Sequence, residues 1–111
     1  MALDSLVANP GRLRILTSLA GENSQEFVRL RQRTNLTDGN LSTHAKRLQT
    51  AGLLAIDKTF RAGKPVTTIT LTSQGRAALE SHVQAIMDAL NFAPNRQDHP
   101  ATIASNDDWV D

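Results

Sequence analysis

The chain has no cysteine among its 111 residues, so disulfides and thiolate metal sites are excluded. Aromatic residues make up only 4% of it. The core must therefore be aliphatic, and the stacking platforms used by single-strand nucleic-acid binders are not expected. No apolar run approaches the length of about 18 residues that a membrane span needs. Nothing at the N-terminus resembles a secretion signal. The expectation is a cytoplasmic protein with no membrane contact. No glycine-rich phosphate loop is present. Ser, His and Asp all occur, but no nucleophile elbow or other recognisable spacing joins them. The histidines, His44, His82 and His99, are dispersed and do not make a metal set. Neither catalysis nor a cofactor is expected.

Hydrophobic residues are 40% and charged residues 21% of the chain, which is ordinary for one compact domain of this length. The formal net charge of +1 conceals an asymmetry. From Arg12 to Lys64 there are ten Lys/Arg against four Asp/Glu, a difference of +6. After Pro94, Arg96 stands against Asp98, Asp107, Asp108 and Asp111, a difference of −3. A basic body with an acidic tail fits a polyanionic partner for the body.

The stretch from Thr37 to Ala51, TDGNLSTHAKRLQTA, carries the strongest local signal. Thr37 is a helix N-cap, and Asp38 puts a carboxylate at the positive helix end. Leu41, Ala45 and Leu48 form a narrow apolar stripe at helical spacing. Gly39, Asn40, Thr43, Lys46, Arg47 and Thr50 fall on the opposite side. That side has short hydrogen-bonding groups near its N-terminus and cations further along, and Gly39 leaves a flat spot where a second surface can approach. A helix docked in a DNA major groove needs this arrangement; so does no more than an amphipathic surface helix facing water. His44, at the stripe's edge, reads as a hydrogen-bonded packing residue ahead of a base contact or a pH sensor.

The flanking chain has a regular order. Leu3, Leu6 and Val7 lie on one side of a short helix. Asn9-Pro10-Gly11 restarts the chain, with Asn9 as N-cap and Pro10 at the first helical position. The helix from Pro10 to Ala20 turns Leu13, Leu16 and Ala20 inward, with Ile15 and Leu19 beside them. Arg12 and Arg14 are expected on its outer side, and Gly21 as its C-cap. A short helix over about residues 26–33, preceded by a few extended residues, carries Arg29, Arg31 and Arg33. Thr34-Asn35-Leu36 links it to the Thr37 helix, which makes a helix-turn-helix. The pattern then changes to period two. Leu53 to Phe60 and Val66 to Leu71 read as strands around an Arg61–Pro65 loop, a hairpin with a basic tip. Thr72 caps a long helix whose Leu79, Val83, Ile86 and Leu90 form a short coiled-coil-like seam, a candidate dimer contact. Residues 94–111, with Trp109 and Val110, lack a sustained period and read as a mobile acidic tail.

The segment LTDGNLSTHAKRLQTAGLLAIDKTFRAGKPVTTITLTSQGRAAL resembles the small single-domain winged helix-turn-helix transcriptional regulators related to the MarR and ArsR groups. The likeness begins near DSLVANPGRLRILTSLA and covers roughly residues 4–90. Its most telling pieces are TDGNLSTHAKRL, AGLL, the wing and LTSQGR. The resemblance implies a mainly α fold with a small β-hairpin (α+β), in which residues 1–93 form the winged-helix body with a long C-terminal dimerisation helix. It also implies a homodimer on double-stranded DNA, with the helix 37–51 in the major groove and the wing 60–66 at the minor groove. On that reading Thr37, Asn40, Ser42, Thr43 and Lys46 sit in the groove-facing helix with Arg47 beside them, and Arg61 and Lys64 map to the wing tip. The ArsR group's metal-binding cysteines are absent. A small-molecule effector is compatible with this class but nothing identifies one. The alternative function is a winged helix that docks on proteins without sequence-specific DNA binding. Double-stranded RNA fits least, since its deep, narrow major groove does not admit a helix.

Overall fold

A computed structural model describes residues 3–91, with side chains from Ser5 onward. The tail 94–111, Trp109 and the helix stop at Phe92–Pro94 lie outside the described residues. The elements are α1 (Leu3–Ala8), α2 (Pro10–Gly21), β1 (Ser24–Glu26), α3 (Phe27–Thr34), α4 (Asp38–Thr50), β2 (Leu54–Arg61), β3 (Lys64–Leu71) and α5 (Ser73–Asn91). This is the mainly helical, hairpin-bearing architecture expected. The few extended residues before α3 form a true strand, so the hairpin is part of a three-stranded antiparallel sheet of order β1-β3-β2.

Helix α2 lies at the centre. Asn9 caps it by accepting from the Arg12 backbone N–H at 3.1 Å, and Pro10 occupies its first turn. Ile15, Leu16 and Leu19 are fully buried, while Leu13 and Ala20 are half-buried. The inward face is thus rotated from the expected Leu13/Leu16/Ala20 stripe. The cause is that α2 packs against α1, α3, α4 and α5, so a broad arc of it is covered. The helix runs through Gly21, and extended Glu22 closes it, its N–H donating to the Ser18 carbonyl at 3.2 Å.

Arg12 and Arg14 do not simply face water. Arg12 Nε donates to the Leu6 carbonyl at 2.6 Å, and Arg14 Nη1 donates to the Thr34 carbonyl at 3.1 Å. Both acceptors belong to the C-terminal turns of helices α1 and α3, where carbonyls lack intrahelical donors and the helix dipole favours a cation. The chain reversals at Asn9 and Asn35 bring those ends onto α2. Asn35 itself takes the left-handed conformation, φ 59°. Gln25 on β1 is buried and donates its amide to the Ser18 and Glu22 carbonyls at 3.0 and 3.1 Å, fastening the sheet to the end of α2.

The wing is tighter than the sequence suggests. Strands β2 and β3 extend to Arg61 and Lys64, which face one another across a turn of Ala62-Gly63 with φ 53° and 79°. A two-residue turn with both φ positive matches the twist of a hairpin, so the five-residue loop expected over 61–65 shrinks to two residues.

Candidate nucleic-acid interface

Helix α4 begins as its sequence implies: the Thr37 hydroxyl accepts from the Asn40 N–H at 3.1 Å. Leu41, Ala45 and Leu48 are buried against α2 and β2, which fixes the rotation of the helix. Thr37, Asn40, Thr43, Lys46 and Arg47 are then exposed on one surface, and Ser42 is half-buried at its margin. The Asn40 side-chain amide makes no hydrogen bond among the described residues, so both its donors and its acceptor are available. A Cβ added at Gly39 would meet nothing within 4 Å. The protein's own packing therefore does not require glycine at this exposed place.

The charges sort themselves by element. On α3, Arg29 and Arg33 pair with Glu22 at 3.2 and 3.4 Å, and Arg31 pairs with Asp38 at 2.8 Å. Arg61 pairs with Glu26, reaching from β2 across β3 to β1. That hydrogen bond, helped by the charge of Arg61, lowers the pKa of the Glu26 carboxyl from its ordinary value, against an opposing effect of desolvation. Lys46, Arg47, Lys58 and Lys64 make neither an ion pair nor a side-chain hydrogen bond among the described residues. These four cations without a side-chain partner belong to α4 and the wing.

Of the residues singled out from the sequence, Thr37, Asn40, Ser42, Thr43, Lys46 and Arg47 share α4, whereas Arg61 and Lys64 sit together at the wing tip. Thr37 is committed as a cap and Arg61 as half of an ion pair. Lys58 is a residue the sequence reading passed over. It lines a cavity of about 160 Å³ between α4 and the sheet, along with Ser42, Lys46, Phe27, Ile56 and Thr67. The signal was present: Lys58 continues the alternating face of Leu54 and Ile56, whose partners Leu71 and Ile69 are core residues.

His44 resolves toward packing. It is half-buried, its Nδ1 lies 3.3 Å from Arg12 Nη1, and a Cβ at Gly11 would approach its Nε2 to 2.8 Å. With Arg12 as donor, Nδ1 is the acceptor and the ring proton belongs on Nε2. Burial, then the charges of Arg12 and Arg47, push its pKa below the ordinary 6.5. The folded protein thus binds that proton less readily than the unfolded chain, and stability falls as pH drops below about 6.5. Thermal melts from about pH 7.5 to about pH 5.5 should show a larger loss of Tm for the natural protein than for His44→Gln, which keeps an acceptor for Arg12 but does not titrate. Parallel pH profiles would contradict this.

The fold is a winged helix-turn-helix, and comparison with known proteins gives its class. A family model for the winged helix DNA-binding domain matches residues 12–90, and the chain belongs to that family. It is similar to the uncharacterized protein MJ0432 of Methanocaldococcus jannaschii, with 37% identity over 76 residues, covering 68% of this chain and 83% of that one. Among solved structures, it is similar to a transcriptional regulator homologue from Pyrococcus horikoshii OT3, with a TM-score of 0.68 and 30% identity, covering 78% of this chain and 89% of that one. It shares its fold with a MarR-family transcriptional regulator from Silicibacter pomeroyi, with a TM-score of 0.61 and 21% identity, covering 86% of this chain and 65% of that one. None of the described helices is long and apolar enough to cross a membrane.

Proposed function

We propose that the chain regulates transcription as a homodimer on duplex DNA, with α4 in the major groove and the wing at the adjacent minor groove. The observation that carries this reading is the distribution of charge: the α3 arginines share Glu22 and Asp38, and Arg12, Arg14 and Arg76 are held by carbonyl or amide oxygens, while the cations with no side-chain partner among the described residues and the free Asn40 amide lie on α4 and the wing. The name of the Pyrococcus relative supports a role in transcription. The exposed apolar face of α5 supports pairing of two copies.

In this arrangement Asn40 is placed to pair with adenine N6 and N7, and Thr43 to meet a thymine methyl or a phosphate. Lys46 and Arg47 hold phosphate. Two α4 helices related by a two-fold axis read half-sites about one turn apart. The roles separate by measurement on duplexes selected from a random pool. Asn40→Ala should relax choice at one position and cost about 1–3 kcal/mol on the selected site, with random duplex bound as before. Lys46→Ala should weaken both alike and flatten the salt dependence by about one counterion. Equal loss on selected and random duplex for Asn40→Ala would contradict its role as a reader.

A further inference from the structure

Beyond the helix and the basic wing, the register of the hairpin exposes an aromatic side chain that the charges alone do not explain. The face of the sheet turned toward α4 runs Leu54/Leu71, Ile56/Ile69, Lys58/Thr67, Phe60/Pro65. The first pair is core, the second closes the sheet against α3 and α4, and the third borders the cavity beside Lys46. The fourth projects past the body, and Phe60 is 77% exposed. Arg61, the next residue, belongs to the other face and is drawn back to Glu26. The hairpin end that continues the α4 side therefore presents an uncovered phenyl ring with Pro65 opposite it, with the unpaired cation Lys58 next along the same face and the unpaired Lys64, opposite Arg61, on the other face at the turn.

Exposed hairpin ends more commonly carry charge or proline, because an uncovered aromatic invites aggregation. The surrounding charge selects the occupant: a ring at a hairpin end that carries a free lysine on each face, Lys58 beside it and Lys64 behind it, suits an apolar surface edged by phosphate. The minor groove offers that surface in its deoxyribose walls and base steps, against which apolar side chains pack or wedge. We infer that Phe60 is an apolar DNA contact of the wing, entering the minor groove beside the site read by α4, with Lys58 and Lys64 on the flanking phosphates. This rests on the DNA-binding reading above and adds to it a contact that is not electrostatic.

The test is fluorescence anisotropy of the full chain with a duplex selected from a random pool, at two salt concentrations, for the natural protein, Phe60→Ala, Phe60→Leu and Lys64→Ala. Phe60→Ala should bind about tenfold more weakly, from the apolar area left uncovered, with an unchanged slope of log affinity against log salt. Phe60→Leu should recover most of that loss. Lys64→Ala should instead reduce the slope by about one. Netropsin, a minor-groove ligand, should weaken the natural protein more than Phe60→Ala. Phe60→Ala binding as tightly as the natural protein would overturn the inference, as would a slope change like that of Lys64→Ala or equal sensitivity to netropsin. A Phe60→Ala protein whose self-association, measured by sedimentation, falls instead of its DNA affinity would assign the ring to a protein contact and overturn it too. If the natural protein binds no duplex at low salt, the underlying DNA-binding reading fails as well; if it binds and Phe60→Ala matches it, the inference alone fails.

Discussion

Gly75→Ala is expected to destabilise the protein by about 3 kcal/mol or more, although the same exchange inside a helix ordinarily stabilises by about 0.5–1 kcal/mol. Gly75 is buried in the first turn of α5. A Cβ there would lie 2.0 Å from the Leu53 carbonyl oxygen and 2.8 Å from Leu71 Cδ1. The carbonyl cannot yield cheaply, because it accepts from the Thr72 N–H at 3.2 Å and Leu53 N–H donates to Leu48 at 2.9 Å. Thr72 tightens the same junction: its hydroxyl donates to the Gly52 carbonyl at 2.7 Å and accepts from the Gly75 N–H at 2.9 Å. Helix α5 is thus seated directly on the link between α4 and β2, so the dimer candidate and the recognition candidate share one backbone contact. Thermal melting should show a Tm lower by about 12 °C or more. Gly21→Ala is the control, since a Cβ there meets nothing within 4 Å, and its Tm should hold or rise slightly. An unchanged Tm for Gly75→Ala would mean that α5 is not docked this closely.

The second large effect is expected on DNA binding rather than folding. Along α5, Leu79 is buried, but Val83, Ile86, Met87 and Leu90 are 42%, 47%, 53% and 62% exposed. The apolar seam therefore leaves its own body after Leu79, and the coiled-coil-like spacing continues without a covering element among the described residues. Ile86→Asp combined with Leu90→Asp puts two carboxylates on that face without touching the core. Sedimentation should report a monomer, with the far-ultraviolet circular dichroism retained. Affinity for a duplex carrying two half-sites should fall by about a hundredfold or more, because the second contact is no longer delivered at high effective concentration. Affinity for a single half-site should change little. A variant that stays dimeric would place the interface elsewhere; a monomer that binds the two-site duplex undiminished would remove the need for one.

Much of this was legible in the chain, and the division follows the range of the interactions. Caps are written locally, and Asn9, Thr37 and Thr72 act as their sequence context implies. So is the α4 stripe, since Leu41, Ala45 and Leu48 face one direction whatever lies beyond them. Helix α2 was harder: a helix covered from several sides has no single apolar stripe to read. Partners distant in sequence left no local trace. Arg12 reaching His44, Arg14 reaching Thr34, and Arg61 reaching Glu26 all depend on which ends the fold brings together. Strand β1 is three residues long and exists because β3 offers it an edge. The turn at Ala62-Gly63 was obscured because alanine rarely takes a positive φ, and Pro65 reads as a loop residue although it stands in β3. Within the candidate interface, the α4 residues were accessible from helical periodicity, whereas Lys58 and Phe60 needed the hairpin register.

The central claim is that the exposed surface of α4 and the wing matches duplex DNA in shape and charge. It is tested most directly by titrating a labelled duplex of random sequence, about 30 base pairs long, with the full chain at about 50 mM and about 200 mM salt. The account predicts binding at the lower salt and steep release at the higher, by a factor of roughly a hundred or more for the several phosphate contacts of two protomers. A folded protein that leaves the duplex free at about 50 mM salt, or binds it with no salt dependence, would contradict it.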